Sequence, residues 1–187
     1  MADLRSRIPV VVEPDTKPVS FWNLGSHGPA VNHRRLEVPS WADVSANYAA
    51  STRRALDQLM LGGAPAPTDG RLVLWFGEPG TGKTNALRAL IREWAPWCGF
   101  SYVADPEKLF EDTSYLLDVI SSWSPVDDED HPGDDDERGP SRWRLLVAED
   151  TDEYLRSSAR QQAGAALGRL LNLSDGLLGQ GTRTLVL

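Results

Sequence analysis

The sequence contains few of the residues that mark secreted, metal-binding or membrane-spanning proteins. Only one of its 187 residues, Cys98, is a cysteine, so an internal disulfide and a zinc site built on several thiolates are both excluded. No apolar run approaches the roughly 20 residues that a membrane-spanning helix needs, and residues 1–12 do not resemble a secretory signal. We therefore expect a cytoplasmic protein without a membrane role.

An excess of positive charge is also missing. The formal net charge is -8, and residues 124–140 carry eight of the acidic side chains with a single arginine, which leaves 18 basic and 19 acidic side chains elsewhere. This nearly neutral remainder gives no direct sign of nucleic-acid binding. Because residues 124–140 also hold three prolines and only one aliphatic side chain, we predict a flexible, solvated insertion, with an acidic arm for a basic partner as the alternative.

Two parts of the chain differ in composition. Residues 1–38 are rich in proline and glycine and show no helical period, so we expect an N-terminal arm or appendage. At Ser40 the pattern changes, because Ser40 and Asp43 form a helix-capping pair ahead of an amphipathic stretch that extends to about Leu61. We therefore predict that residues 39–187 form the main domain.

Within that domain short apolar runs alternate with amphipathic stretches. This alternation predicts a three-layer α/β/α fold with a mostly parallel sheet. The predicted strands are 71–76, 99–104, 143–148 and the start of a fourth at 183–187, and the predicted helices are 82–94, 106–123 and 157–173.

Chemistry is concentrated in the segment GEPGTGKT, residues 77–84, which lies between a predicted strand and a predicted helix. Glycines at 77, 80 and 82 are expected to adopt backbone angles closed to other residues and to leave amide N–H groups bare around an anion. The positive end of the helix dipole adds to the same place. We expect Lys83 to reach the β- and γ-phosphates of a nucleotide and the Thr84 hydroxyl to bind Mg²⁺. The expected nucleotide contacts are Gly77, Glu78, Pro79, Gly80, Thr81, Gly82, Lys83, Thr84 and Asn85.

Two carboxylates follow the strand at 143–148. Ligands bind at the carboxyl edge of parallel strands, so Glu149 and Asp150 are expected to face the glycine loop. We predict that Glu149 holds Mg²⁺ together with Thr84 and that Asp150 orients the attacking water.

These motifs together resemble the core of the AAA ATPases, a branch of the P-loop family. GEPGTGKT looks like the Walker A form GPPGTGKT, LLVAEDTD looks like the Walker B strand with Asp152 as its last acid, and residues 167–176 are similar to the segment LLNxLDG. The resemblance implies ATP hydrolysis with Mg²⁺, catalytic roles for Lys83, Glu149 and Asp150, a homo-oligomeric ring, and mechanical or assembly work on a protein partner that the sequence does not specify.

The sequence also departs from that family. Glu149-Asp150 stands where Asp-Glu is usual, so hydrolysis is expected to be slow, and a shifted register would put Asp150 on the metal with Asp152 or Glu153 as base. The chain stops inside its fourth strand, ahead of the polar sensor, arginine finger, fifth strand and helical lid. We therefore expect a fragment, or a gene product cut short, whose 71–76 edge is left unpaired because the resemblance implies a fifth strand beside it. No aromatic-aliphatic-glycine loop for gripping polypeptide follows the second strand.

Three rival functions fit parts of the same pattern. A P-loop phosphotransferase needs an acceptor pocket and an arginine-rich lid. A GTP-binding switch is disfavoured because no N-K-x-D motif occurs. A module that binds ATP without hydrolysing it is the third, and ATP affinity together with phosphate release distinguishes it from an ATPase.

Overall fold

The computed structural model describes residues 15–65, 71–121, 143–149 and 183–187. In these ranges the chain folds around one five-stranded sheet with helices on both faces, so the predicted α/β class is confirmed. The strands are β1 (Thr16–Gly25), β2 (Gly28–Glu37), β3 (Cys98–Val103), β4 (Trp143–Ala148) and β5 (Thr184–Val186). The α-helices are α1 (Trp41–Val44), α2 (Ala50–Met60), α3 (Lys83–Trp94), α4 (Pro106–Glu111) and α5 (Thr113–Ser121).

The strands are ordered β2-β1-β3-β4-β5 across the sheet. The pairs β1–β3, β3–β4 and β4–β5 are parallel, and the pair β1–β2 is antiparallel. Parallel strands end at the same edge of a sheet. The residues that follow β3 and β4 therefore lie side by side at one edge.

Strand β4 shows how the two faces are filled. Leu145 and Val147 belong to a core with α1, α2 and α3, whereas Leu146 belongs to a second core with α4 and α5. Alternate side chains of a strand point to opposite faces, and an internal parallel strand is apolar on both. The apolar run that predicted this strand therefore reflects burial in a three-layer arrangement.

Arg144 is a charged exception in β4. Only 2% of this residue is exposed, and its Nη1 and Nη2 donate to the carbonyls of Val119 and Ile120 at 2.7 and 3.1 Å. These carbonyls lie in the last turn of α5, where no helical partner is available. Burial lowers the pKa of Arg144 to about 10. The guanidinium thus anchors the end of α5 to the sheet.

The N-terminal region takes part in the sheet. Residues 1–38 were expected to form an arm, yet β1 and β2 pair over their full lengths, from Thr16–Glu37 to Gly25–Gly28. The hairpin also joins β3, because Ala104 N donates to Trp22 O and Leu24 N donates to the Asp105 carboxylate, both at 2.9 Å. These long-range bonds, which no local pattern encodes, make residues 16–37 part of the fold.

The helix expected from Ser40 to about Leu61 is interrupted. It consists of α1, a 3-10 turn at Ser45–Asn47 and α2. Tyr48, which has an extended backbone, lies between the 3-10 turn and α2. The start was correctly predicted, since the Ser40 side chain accepts from Asp43 N at 3.2 Å. The interruption depends on Tyr48, whose ring packs on Trp41 and whose hydroxyl bonds to a distant glycine.

The second predicted helix is also divided. Asp112, which lies inside the helix predicted at 106–123, has an extended backbone and separates α4 from α5. Its carboxylate accepts from the amides of Ser114 and Tyr115 at 2.8 and 3.2 Å. Hydrogen bonds from Ser114 and Tyr115 lower the pKa of Asp112. An aspartate whose carboxylate accepts hydrogen bonds from nearby backbone amides favours the start of a helix over a position inside one.

The strand predicted at 71–76 is reduced to one bridge. Leu72 pairs with Val186 of β5, supported by bonds from Val73 N to Val186 O and from Val186 N to Arg71 O. Leu74 and Phe76 are 64% and 91% exposed. Within the described residues, the pairing of 71–76 with β5 is limited to this bridge.

Several predictions fall outside the described residues. These are the acidic insertion at 124–140, the helix at 157–173, the segment at 167–176, and the acids Asp150, Asp152 and Glu153. In the described part of the chain the longest helix, α3, has 12 residues, and none has the length and apolarity to cross a bilayer.

Candidate functional site

A tight turn opens the glycine loop. Thr81 N donates to Glu78 O at 3.4 Å, with Pro79 and Gly80 between them and Gly80 at φ 81°. Proline fixes the backbone angle needed at the second position of a type II turn, and the third position requires a positive φ. The Thr81 hydroxyl reinforces the turn by donating to Glu78 O at 2.8 Å. The sequence EPGT therefore determines the shape of this part of the loop.

Two of the three loop glycines have the predicted left-handed backbone. Gly80 has φ 81°, and Gly82, the N-cap of α3, has φ 88°. Gly77 was expected to share this property, and this prediction is wrong because its φ is not positive. A Cβ at Gly77 would lie 3.3 Å from the Thr81 hydroxyl oxygen. A side chain at position 77 would therefore crowd the Thr81 hydroxyl, and this constraint comes from packing and not from the backbone angle of Gly77.

The turn leaves backbone donors without acceptors. In the described part of the chain, the amides of Gly82, Lys83 and Thr84 donate to no protein group. They are the orphan donors of a helix N-terminus, and the helix dipole places partial positive charge at the same point. This end of α3 is suited to an anion.

The ammonium group of Lys83 lies across the loop. Its Nζ donates to the carbonyls of Gly77 and Glu78 at 2.6 and 3.1 Å. These carbonyls are exposed parts of the loop, so a bound phosphate can replace them as acceptors at little cost. Lys83 is thus held beside the bare amides that were predicted to bind phosphate.

The fold brings Glu149 to Thr84. The Thr84 hydroxyl lies 3.5 Å from Glu149 Oε1, although 65 residues separate the two in the chain. Thr84 is on the first turn of α3, and Glu149 directly follows β4 at the carboxyl edge of the sheet. The distance leaves the hydroxyl and the carboxylate only a weak direct hydrogen bond. Both oxygens are therefore available to a common cation.

Tyr102 supports the Glu149 carboxylate from the neighbouring strand. Its hydroxyl donates to Glu149 Oε2 at 3.2 Å, and parallel pairing of Tyr102 with Val147 sets this position. The Tyr102 ring also packs on Phe21 of β1, with ring centroids 5.3 Å apart. The sequence reasoning missed Tyr102, and its position near the carboxyl end of a parallel strand was a signal that could have indicated it.

Tyr48 contacts the loop from the opposite direction. Its hydroxyl donates to the Gly82 carbonyl at 2.9 Å. Burial raises the pKa of Tyr48, and a hydrogen bond with the Asn85 side chain opposes this change. Tyr48 lies inside the helix predicted to extend to about Leu61, and no local signal in the sequence indicated its contact with residue 82. Asn85, predicted to contact nucleotide, meets Tyr48 here.

The site residues thus divide into three groups. Residues 77–85 form one continuous loop and helix start, and Glu149 joins them through Thr84. Tyr48 and Tyr102 hold the two sides of this assembly. Asp150 lies outside the described residues, so its predicted role remains a prediction.

Comparisons with known proteins give one similarity. A family described only as a domain of unknown function (DUF5925) matches residues 8–61, under a third of the chain. The match includes the hairpin and Tyr48 and ends before the glycine loop. The searches of curated proteins and of solved structures found no match.

Proposed function

We propose that this chain is an AAA-type P-loop domain that binds ATP with Mg²⁺ and hydrolyses it to ADP and phosphate. The observation that carries the proposal is the 3.5 Å approach of the Thr84 hydroxyl to the Glu149 carboxylate at the end of the glycine loop. Those two oxygens come from the two motifs that the proposal needs, and only the fold brings them together.

The phosphate half of the site is supported by donors that lack acceptors. The bare amides of Gly82, Lys83 and Thr84 face the same end of α3 as the Lys83 ammonium. A polyphosphate would take all of these donors and would interact favourably with the helix dipole. Charge-assisted bonds of this kind are about twice as strong as neutral ones, which explains why Lys83 should dominate affinity.

The metal half is supported by the chemistry of its oxygens. Mg²⁺ prefers hard oxygen ligands and is usually bound by one or two protein groups together with substrate phosphates and water. A threonine hydroxyl and a carboxylate 3.5 Å apart fit that donor set. When bound, the ion would neutralise charge that develops on the β- and γ-phosphate oxygens. Tyr102 would keep Glu149 turned toward this position.

The later steps rest on the resemblance. Asp150 is proposed to orient the attacking water, and a ring of identical chains is proposed to convert hydrolysis into work on a protein partner. Glu149 has one methylene more than the aspartate usual at its position. Its carboxylate lies 3.5 Å from the Thr84 hydroxyl. This reach favours Glu149 as the metal ligand over the register in which Asp150 holds the ion.

The test compares ATP binding with phosphate release on the same preparation. Calorimetric titration with ATP and Mg²⁺ is expected to give an affinity that falls by about 100-fold in Lys83→Ala, since several charge-assisted bonds are lost. Lys108→Ala is the matched control, because Lys108 is an exposed lysine that pairs with Asp105 outside the loop. Equal affinities for wild type and Lys83→Ala would contradict the proposal. Tight binding without phosphate release would identify the non-hydrolysing module instead.

A further inference from the structure

A cleft of about 470 Å³ lies beside the glycine loop, between α3 and the sheet. Its size is typical of sites for small organic molecules. One end is formed by Thr84 and Glu149. The walls are apolar and come from five elements, and they include Phe21 of β1, Leu36 of β2, Leu87 and Ile91 of α3, Tyr102 of β3 and Val147 of β4.

The far rim of the cleft is positively charged. Arg35, Glu37 and Arg88 line it. Arg88 Nε donates to the Glu37 backbone carbonyl at 2.7 Å, and Arg35 donates from Nε and Nη2 to Thr16 at 3.0 and 3.1 Å. Within the described ranges no carboxylate pairs with either guanidinium. The rim therefore presents two arginines and one glutamate, with the outer nitrogens of Arg88 available.

The cleft is on the wrong side of the site for a nucleotide base, an argument that rests on the proposed function. Thr84 and Glu149 would hold Mg²⁺, and the ion would neutralise charge on the terminal phosphates, so the terminal phosphate of ATP would lie close to these two residues. The base is at the opposite end of the nucleotide. None of the cleft residues belongs to the loop at 77–82. The cleft thus begins where the terminal phosphate would end.

We infer that this cleft binds a second ligand, a small organic anion with an apolar body. The body fills the apolar walls, where water would find few hydrogen-bonding partners. Its single anionic group, such as a carboxylate or sulfonate, pairs with Arg88 at the rim, since the opposite end is occupied by the Glu149 carboxylate. ATP and this ligand bind at the same time, adjacent to one another.

The probe for this site is 8-anilino-1-naphthalenesulfonate, an apolar dye with one sulfonate, and its neutral counterpart is N-phenyl-1-naphthylamine. Fluorescence titration of the full chain is expected to show about tenfold weaker binding of the sulfonate dye in Arg88→Gln, with the neutral dye unchanged. Leu36→Trp, which fills the cleft, should weaken both dyes. Arg53→Gln is the control, because Arg53 is an exposed arginine on α2 outside the cleft.

Two results would overturn the inference. The first is sulfonate-dye binding that neither Arg88→Gln nor Leu36→Trp changes, since the dye would then bind elsewhere. The second is displacement of the dye by a non-hydrolysable ATP analogue with Mg²⁺, since the cleft would then hold part of the nucleotide. Failure of the proposed function is a separate result: the chain would bind no nucleotide, and the arginine dependence of the dye would persist.

Discussion

The Tyr48 hydroxyl donates a 2.9 Å hydrogen bond to the carbonyl of Gly82, the N-cap residue of α3. A Cβ at Gly82 would lie 3.2 Å from the same hydroxyl oxygen, so a side chain at this position would crowd the tyrosine. Tyr48 is held in turn by Trp41, with ring centroids 5.3 Å apart. The segment similar to DUF5925 thus supports the glycine loop directly, and its removal should impair the loop.

Tyr48→Phe tests this support. It keeps the ring on Trp41 and removes one hydrogen bond, which typically contributes about 1 kcal/mol. We expect a similar fall in the free energy of unfolding, measured by urea denaturation, and a several-fold loss of ATP affinity. Tyr48→Leu also removes the ring and should lose more stability and more ATP affinity than Tyr48→Phe. An ATP affinity that stays unchanged in both variants would show that the loop holds its shape without Tyr48.

Gly80→Ala and Gly82→Ala separate backbone strain from crowding. Each places a side chain at positive φ, which costs about 1–2 kcal/mol. A Cβ at Gly80 meets nothing within 4 Å, whereas a Cβ at Gly82 meets the Tyr48 ring. We therefore expect Gly82→Ala to lose more stability and more ATP affinity than Gly80→Ala.

The control for these variants is Gly28→Ala. Gly28 has φ 109° in the hairpin turn, and a Cβ there also meets nothing within 4 Å. This change should reduce stability and leave ATP affinity intact. If it weakened ATP binding as much as Gly82→Ala does, the effect would be global destabilisation and not distortion of the loop.

Tyr102→Phe tests the support of Glu149. The change keeps the ring beside Phe21 and removes the donor to Glu149 Oε2, so the carboxylate gains rotational freedom. We expect the Mg²⁺ concentration needed for half-maximal ATP binding to rise several-fold, with metal-free ATP binding unchanged. Tyr115→Phe is the matched control, since Tyr115 donates to the carboxylate of Asp105 in the other core. If the Mg²⁺ concentration for half-maximal ATP binding were the same in Tyr102→Phe and Tyr115→Phe, Tyr102 would not support Glu149 as a metal ligand.

Alkaline pH should destabilise the fold through Tyr115. Burial, with the neighbouring Asp105 carboxylate as a second cause, raises the pKa of Tyr115 well above its usual value of about 10. The unfolded chain therefore loses this proton near pH 10 while the folded chain keeps it. Stability attributable to this group is complete below pH 10 and falls above it by about 1.4 kcal/mol per pH unit.

Urea denaturation at a series of pH values from 8 to 11.5 measures this effect. The decline above pH 10 should be shallower in Tyr115→Phe, which has no phenol proton to lose. Other tyrosines and the lysines contribute equally to both proteins. Parallel declines in wild type and variant would mean that the Tyr115 phenol is not protected from ionisation by the fold.

Local sequence rules predicted the elements whose causes are local. Pro79 and Gly80 dictate a turn, Ser40 and Asp43 start a helix, and the mainly apolar run at 143–148 is a strand that lies between two apolar cores. The same rules failed at Tyr48 and Asp112. At those positions a side chain has better partners outside the helix than within it, and helical periodicity carries no information about such partners.

The sequence by itself determined the chemistry of the loop at 77–84 and the α/β class, since both follow from residue types at fixed short spacings. The tertiary structure decided that the N-terminal hairpin extends the sheet and that, among the described residues, the segment 71–76 pairs with β5 through one bridge at Leu72. It also decided that Glu149 stands 3.5 Å from Thr84 with Tyr102 behind it. These are contacts between segments tens of residues apart, and they form only when strand order and helix packing place those segments together.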